Sequence, residues 1–511
     1  MMNLSLAAKV RRATMVVVLG LALAGPGLVG GTPAEAAAKS GLTLERSRSS
    51  VTLYRIAGDE GGYVYGDLGV YAVAGKKAFR VKAKRSSYAK KIKATWVRKG
   101  KDKALPSPAD FTGLTKFSTT TYRNAAGTVV ASSNSTFCPN TYQPVRRRPS
   151  APATSPYPAG CDYNPYSRGA VWGIQAGYAV PLLGDPYSAG GLPDLPLGVY
   201  QATITINPAY RKALGLSKSK ATVSVKVTVQ ADEQCDEEDP MGCMTSMRAQ
   251  RMAAQERSVA AAASPKKLSG KRVKPSGPLP DLRSLPAWGI GVEEGRYLVF
   301  SATVWNAGPG PLVVDGFRSK SDPDLMKAYQ YFFTKSGKQK GYARVGGMEW
   351  DPRDGHEHWH FQDFATYRLV DSKKKFVVRS AKEAFCLANT DAVDYTVKGA
   401  NWKPDNTDLH TSCGDRASLG VREVLDAGSG DTYAQYLPGQ SFDLAGLANG
   451  TYYIQIKANP AKVLYERKTG NNVSYRKVVI GGTAGDRTVK VAKVGIINEP
   501  SMAGMESHAT R

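Results

Sequence analysis

Residues 222–229 read TVSVKVTV, with Val223, Val225, Val227 and Val229 on one side and Thr, Ser and Lys between them. A period of two suits a half-buried strand and no helix, because successive side chains of a strand point to opposite faces. The same alternation recurs in AFRVKAKR at 78–85, where Phe79, Val81 and Ala83 oppose Arg80, Lys82 and Lys84. It recurs again in TYYIQIKANP at 451–460, where Tyr452, Ile454 and Ile456 oppose Tyr453, Gln455 and Lys457. VYQATITI at 199–206 precedes the valine run at hairpin-like distance, and RYLVFSATVWNAGPGPLVV at 296–314 reads as strand, Gly/Pro turn, strand. With 52 Gly and 30 Pro as punctuation, no βαβ rhythm and no phosphate-binding glycine loop, the fold class is all-β. The expected architecture is one or two β-sandwich-like modules in the N-terminal half and a second β domain after them.

A chain of 511 residues exceeds one ordinary domain. Residues 1–37 carry Lys9, Arg11 and Arg12, then an apolar run from Met15 to Ala24 and small residues around Ala34 to Ala38. That run is well short of the roughly 20 residues that span a bilayer, so it reads as a cleaved signal peptide rather than an anchor. The expectation is a secreted, extracellular or cell-surface protein with no membrane span. Residues 38–231 form the N-terminal β-rich module, in which the Pro-, Ser- and Tyr-rich span 139–196 is expected to be a long loop. Residues 232–277 form a linker: an acidic loop, DEQCDEEDPMGC, then a helix-forming stretch and an extended basic run. Residues 278–482 form the second β domain, and 483–511 a basic tail.

Six cysteines fit an oxidising compartment, and sequence order suggests three local pairs, Cys138 with Cys161, Cys235 with Cys243 and Cys386 with Cys413, out of the 15 pairings that six cysteines allow. The net charge of +26 permits attraction to anionic polymers such as cell-wall phosphates or nucleic acid. Its lysines and arginines are spread along the chain without interleaved aromatics, which argues against nucleic acid as the partner.

The sharpest chemical signal is EWDPRDGHEHWHFQDFA at 349–365. It holds three of the five histidines of the chain, His356, His358 and His360, at alternate positions. On a helix these would scatter around the axis; on a strand they share one face, about 6.6–6.8 Å apart, with Glu357 and Trp359 turned away. Three imidazoles on one face can converge on a metal at roughly 2.0–2.1 Å, provided that the strand bends. The bland alternative is a polar strand face, which such a histidine-poor chain has little reason to build. A metal site is the expectation; the ligand set alone leaves copper, zinc, nickel and iron open.

GHEHWHFQDFATYRLVD resembles the copper-binding segment of the lysyl oxidase family, in which three alternate histidines are followed by an acidic-aromatic stretch and then Tyr, two aliphatics and Asp, here Tyr367, Leu369, Val370 and Asp371. AKEAFCLANT at 381–390 resembles the family segment bearing the lysine of its quinone cofactor, which maps onto Lys382. GDTYAQYLPGQSFDL at 430–444 resembles the segment of the partner tyrosine, which maps onto Tyr433. LPDL (279–282), VWNAGPGPL (304–312) and ERKTGNN (466–472) also fit, so the resemblance covers roughly 278–480. Two departures stand out. The chain between Lys382 and Tyr433 is longer than in the animal enzymes, which leaves Tyr395 and Tyr436 as alternative partners. Most of the animal enzymes' cysteines have no counterpart, and the N-terminal half resembles neither their propeptide nor their scavenger-receptor modules.

The resemblance implies a copper-dependent amine oxidase with lysine tyrosylquinone formed from Lys382 and Tyr433. Such an enzyme takes primary amines, peptidyl lysine or small amines, to aldehydes with molecular oxygen, releasing hydrogen peroxide and ammonia. Asp363 and Asp371 are nearby carboxylates for proton removal. The competing reading is a non-catalytic metal-binding module of a cell-surface or extracellular protein. A zinc hydrolase ranks last, since HEHWH, although it spells H-E-x-x-H, reads as a strand and not as the helix on which that pair binds zinc.

Overall fold

The computed structural model describes residues 41–499 except 57–61, 143, 162–163, 184–191, 233–276, 319–323, 354–356, 381–383, 404–408 and 438. The signal peptide, the body of the linker and the Cys235–Cys243 pair therefore lie outside the described residues. The described chain is all-β, six sheets with one short α-helix, Pro208–Leu214, and one 3-10 turn, Ser219–Ala221.

The valine run forms the strand Thr222–Ala231, with Val225, Val227 and Val229 at most 2% exposed. It pairs antiparallel with Gly198–Ile206, as the spacing suggests. No tight hairpin joins them, however: Pro208 opens the intervening helix and Gly215, at φ 70°, closes it. The segment Phe79–Lys84 alternates buried and solvated positions as expected. The span 139–196 is not one long loop. It contributes the strands Val145–Arg146, Gly169–Ile174 and Tyr178–Pro181. Gly169–Ile174 (GAVWGI) is buried at all six positions, so it lacks the alternation that reveals a half-buried strand. The disulfide Cys138–Cys161 links the start of this span to its middle.

In the C-terminal half the turn after Asn306 does not fold the chain back on itself. Tyr297–Asn306 belongs to one sheet, while Leu312–Arg318 pairs with Leu325–Phe333 and Gly420–Leu425 in another. The Gly/Pro segment thus carries the chain from one face of the core to the other. A third sheet contains Ala365–Val370, Gly450–Ala458 and Val473–Thr483. The inward residues of these sheets, among them Phe300, Val314, Met348, Tyr367, Ile454 and Val478, form one core.

Residues 483–499 do not leave the fold as a basic tail. Asp486–Val491 pairs with Val473–Thr483, and Val489 packs on the core. The polar character of that stretch is the wet side of an edge strand: Asp486, Thr488 and Lys490 are exposed, whereas Arg487, Val489 and Val491 are half-buried.

The motifs LPDL, VWNAGPGPL and ERKTGNN converge on one buried polar clasp. The Asp281 N–H donates to Asn306 Oδ1 at 3.1 Å, and Asn471 Nδ2 donates to Asp281 Oδ1 at 3.2 Å. Glu466 accepts from the Leu282 N–H at 2.9 Å and from Asn459 and Asn472, each at 2.7 Å. Buried carboxylates need such donors, and these three segments supply them to one another.

The two halves also share a buried junction. Tyr166 packs with Leu285, Trp288, Trp305, Val393 and Ile497. Arg476 and Tyr166 meet Glu499, and the Arg168 N–H donates to the Val393 carbonyl at 2.6 Å.

Candidate metal centre

His358–Phe361 is the edge strand of a five-stranded sheet, paired antiparallel with Gln339–Asp351 so that Asp351 faces His358 and Glu349 faces His360. Directly opposed residues share a sheet face. The histidines therefore stand on the same side as Glu349 and Asp351, while Trp359 turns into the core. Trp359 is fully buried, its indole N–H donates to the Asp415 carbonyl at 2.8 Å, and its ring meets Trp350 edge-on at 5.8 Å. That anchor fixes the alternation, and with it which way the imidazoles point.

The Nε2 atoms of His358 and His360 are 2.9 Å apart, with ring centroids separated by 4.7 Å. Two ligands each about 2.0–2.1 Å from a metal and at right angles to it are about 2.9 Å apart, so this pair fits adjacent positions of a tetragonal ion. His360 is 2% exposed, and its Nδ1 lies 3.2 Å from Asp351 Oδ2. A carboxylate on one ring nitrogen leaves the other as the ligand. Among the described residues no three His, Cys, Asp or Glu side chains close on a single point. His356, the expected third ligand, lies outside the described residues.

Asp351 is the hub. Arg353 grips it with two nitrogens, Nε to Oδ1 at 2.8 Å and Nη2 to Oδ2 at 2.5 Å. Burial pushes the Asp351 carboxyl up, but hydrogen bonds from the Arg353 side chain and backbone, together with His360, outweigh it and hold the group well below the usual carboxylate range. Asp351 therefore stays ionised.

Tyr433 ends the strand Ser429–Tyr433 and faces Ala302 across the sheet. Its ring meets Phe385 edge-on at 6.0 Å. Burial raises its phenol well above the ordinary value, Arg353 opposing and Asp351 adding to the shift, which puts Tyr433 within the field of the same Asp351–Arg353 pair. Phe385 is bound in turn to the histidine strand: its N–H donates to the Phe361 carbonyl at 3.0 Å, and the Phe361 N–H donates back at 2.7 Å. Cys386 next to it is disulfide-bonded to Cys413, whose carbonyl accepts the Trp359 N–H at 3.0 Å. The structure thus brings His358, His360 and Tyr433 into one neighbourhood. Lys382 lies outside the described residues, three positions along the chain from Phe385.

The other candidates stand elsewhere. Tyr395 packs with Tyr157 and Val171 in the junction between the halves, and Tyr436 is 51% exposed. Asp363 is exposed in a turn, at φ 56°. Asp371 accepts the N–H groups of Lys373 and Lys375, each at 2.8 Å, and so closes its own turn. Sequence reasoning passed over Asp351 and Arg353. The signal was present in EWDPRDG: folding that segment back on HEHWH places its acid opposite a histidine.

It also gave no hint of what lies behind Tyr433. Asp391 is buried, and burial raises its pKa; hydroxyl hydrogen bonds from Thr432 and Thr390 and the amide of Asn164 oppose that shift. Asn164 Nδ2 also donates to Thr303 Oγ1 at 3.2 Å, and Thr303 and Thr432 hydroxyls lie 2.6 Å apart. A residue of the N-terminal module is thereby wired to the strand that carries Tyr433.

Residues 324–487 match the family model described as Lysyl oxidase. The protein-lysine 6-oxidase of Rattus norvegicus is 30% identical over 126 residues, 24% of this chain and 27% of the rat protein. The chain thus spans about a quarter of the length of that relative. The family match begins at 324, although the strand beside Tyr433 is Tyr297–Asn306. The C-terminal part of this chain carries a lysyl oxidase family domain.

Proposed function

We propose that this protein is an exported copper-dependent amine oxidase, acting on primary amines such as peptidyl lysine. The observation that carries the reading is the convergence of two imidazoles, an ionised aspartate and a half-buried tyrosine. Copper held by His356, His358 and His360 would supply one-electron chemistry with oxygen, and lysine tyrosylquinone from Lys382 and Tyr433 would supply the carbonyl that takes an amine to an aldehyde, releasing hydrogen peroxide and ammonia.

The residues of the chain divide the supporting work. Asp351 holds the His360 ring by Nδ1 and keeps Nε2 directed at the metal position. Arg353 compensates the Asp351 charge and opposes the rise in the Tyr433 phenol pKa. Tyr433 must lose its proton to be oxidised, and the guanidinium is the described cation that favours that loss. Phe385 covers one side of the Tyr433 ring. For Lys382 to act as a nucleophile its amine must be neutral, which burial or neighbouring cations favour. Two disulfides among the described residues agree with an oxidising compartment.

The test is primary-amine oxidation by copper-loaded full-length protein, read as hydrogen peroxide release. Tyr433→Phe and Lys382→Ala should each abolish it while copper stays bound. Full turnover in Lys382→Ala would overturn the cofactor assignment. A wild-type protein that keeps copper but oxidises no amine would instead be a metal-binding module.

A further inference from the structure

The sheet built from Phe376–Arg379, Ala365–Val370, Gly450–Ala458, Val473–Thr483 and Asp486–Val491 has one face in the core and one in solvent. Register fixes the outward set, because paired residues share a face. Arg379 faces Arg368, Arg368 faces Gln455, and Gln455 faces Tyr475. Beside that row, Phe376, Val370, Tyr453 and Lys477 run in parallel, while Lys457, on the central strand, and Lys490, on the edge strand, stand toward opposite ends of the face.

The charge on this face is one-sided. With Lys374 from the adjoining turn, six cations stand there: Arg368, Lys374, Arg379, Lys457, Lys477 and Lys490. The five strands contain a single acid, Asp486, at the far end of the last one. Asp371 at the rim is engaged by its own turn. Two rings lie open among the cations, Phe376 at 59% and Tyr475 at 43% exposure. Gln455 Nε2 donates to the Tyr475 hydroxyl at 2.9 Å and steadies that ring, and the Lys374 ammonium sits over the Tyr453 ring at 2.6 Å and the Tyr475 ring at 4.5 Å.

A solvated sheet normally mixes both signs of charge; six cations against one acid among the described residues of the five strands attract a polyanion. Rings exposed on a sheet surface add an apolar platform that small anions do not need. We propose that this face docks an anionic polysaccharide, its sugar rings stacked on Tyr475 and Phe376 and its acidic groups paired with Arg368, Lys477 and Lys490. Aromatic and basic surfaces also take single-stranded nucleic acid. The disulfides Cys138–Cys161 and Cys386–Cys413 favour the glycan, since they belong to oxidising compartments outside the cytosol and nucleus, where nucleic acid resides. Docking on this face needs neither copper nor quinone, so it stands or falls independently of the oxidase reading.

The experiment measures binding of full-length protein to dextran sulfate, uncharged dextran and single-stranded oligothymidine, over a range of salt. The wild type should bind dextran sulfate most tightly, with an affinity that falls as salt rises. Lys374→Glu/Lys477→Glu/Lys490→Glu should lose on the order of tenfold or more of that affinity, whereas Lys99→Glu/Lys101→Glu/Lys103→Glu, with the same change in net charge, should lose little. Tyr475→Ala should weaken binding without changing the salt dependence. Equal losses in the two triple variants would reduce the effect to net charge and overturn the assignment. Tighter binding of oligothymidine than of dextran sulfate would overturn the choice of polymer.

Discussion

The Nδ1 of His360 lies 3.2 Å from Asp351 Oδ2, while its Nε2 lies 2.9 Å from the Nε2 of His358. One ring is thus held from behind by a carboxylate and aligned in front with its neighbour. His358→Ala and His360→Ala should each remove a ligand and abolish tight copper binding, measured by equilibrium dialysis. Asp351→Asn should keep the ligands but lose the orienting charge, weakening copper by about 10–100-fold. Unchanged affinity in Asp351→Asn would mean that the aspartate has no part in the site.

The disulfide Cys386–Cys413 lies between Phe385, which is bound to Phe361, and the carbonyl that accepts the Trp359 N–H. Replacing both cysteines by serine should cost about 2–4 kcal/mol of stability and weaken copper binding as well, because it loosens the support of the histidine strand. Chemical denaturation and dialysis on the same variant check both effects. Loss of stability with copper affinity intact would confine the bond to a purely structural role.

Asn164 reaches from the N-terminal module to Thr303 and Asp391, one residue from Tyr433 in sequence through Thr432. Asn164→Ala should destabilise the whole chain by about 1–3 kcal/mol, since it strips a donor from a buried polar cluster. Urea unfolding measures this. The C-terminal half expressed alone should be poorly soluble, because Leu285, Trp288, Trp305 and Val393 lose the cover of Tyr166. A soluble, cooperatively folded C-terminal fragment would contradict that dependence.

Burial raises the Asp391 pKa in the folded chain, against the hydroxyl and amide hydrogen bonds around it. Between the unfolded and the raised folded pKa the native state holds more protons than the unfolded state, so this group's contribution to stability falls as pH rises through that window. Asp391→Asn cannot ionise and lacks this slope. The stability of the wild type relative to Asp391→Asn should therefore decline as pH rises above the unfolded aspartate value of about 4, as followed by denaturation midpoints. A difference that is flat, or that grows with pH, would contradict the assignment.

Much of this arrangement is legible in the sequence, for definable reasons. Thr222–Ala231 and Gly450–Ala458 alternate because one face is wet, and HEHWH could be turned the right way because Trp359 had to be buried. Gly169–Ile174 was not legible, since a strand buried on both faces carries no period. Asp351 was missed because its role depends on register across a hairpin, a relation between segments rather than a pattern within one. The Asn164 cluster depends on contacts between residues more than a hundred positions apart, which no local spacing encodes.

The central claim is that the histidine strand loads copper beside a tyrosine that becomes joined to Lys382. Peptide mass spectrometry of full-length protein, incubated aerobically with copper and digested, addresses it directly. The account predicts one cross-linked species pairing the Lys382 and Tyr433 peptides, absent without copper and absent from His360→Ala. Recovery of both peptides unlinked from copper-replete wild type, or a link from Lys382 to Tyr395 or Tyr436, would contradict it.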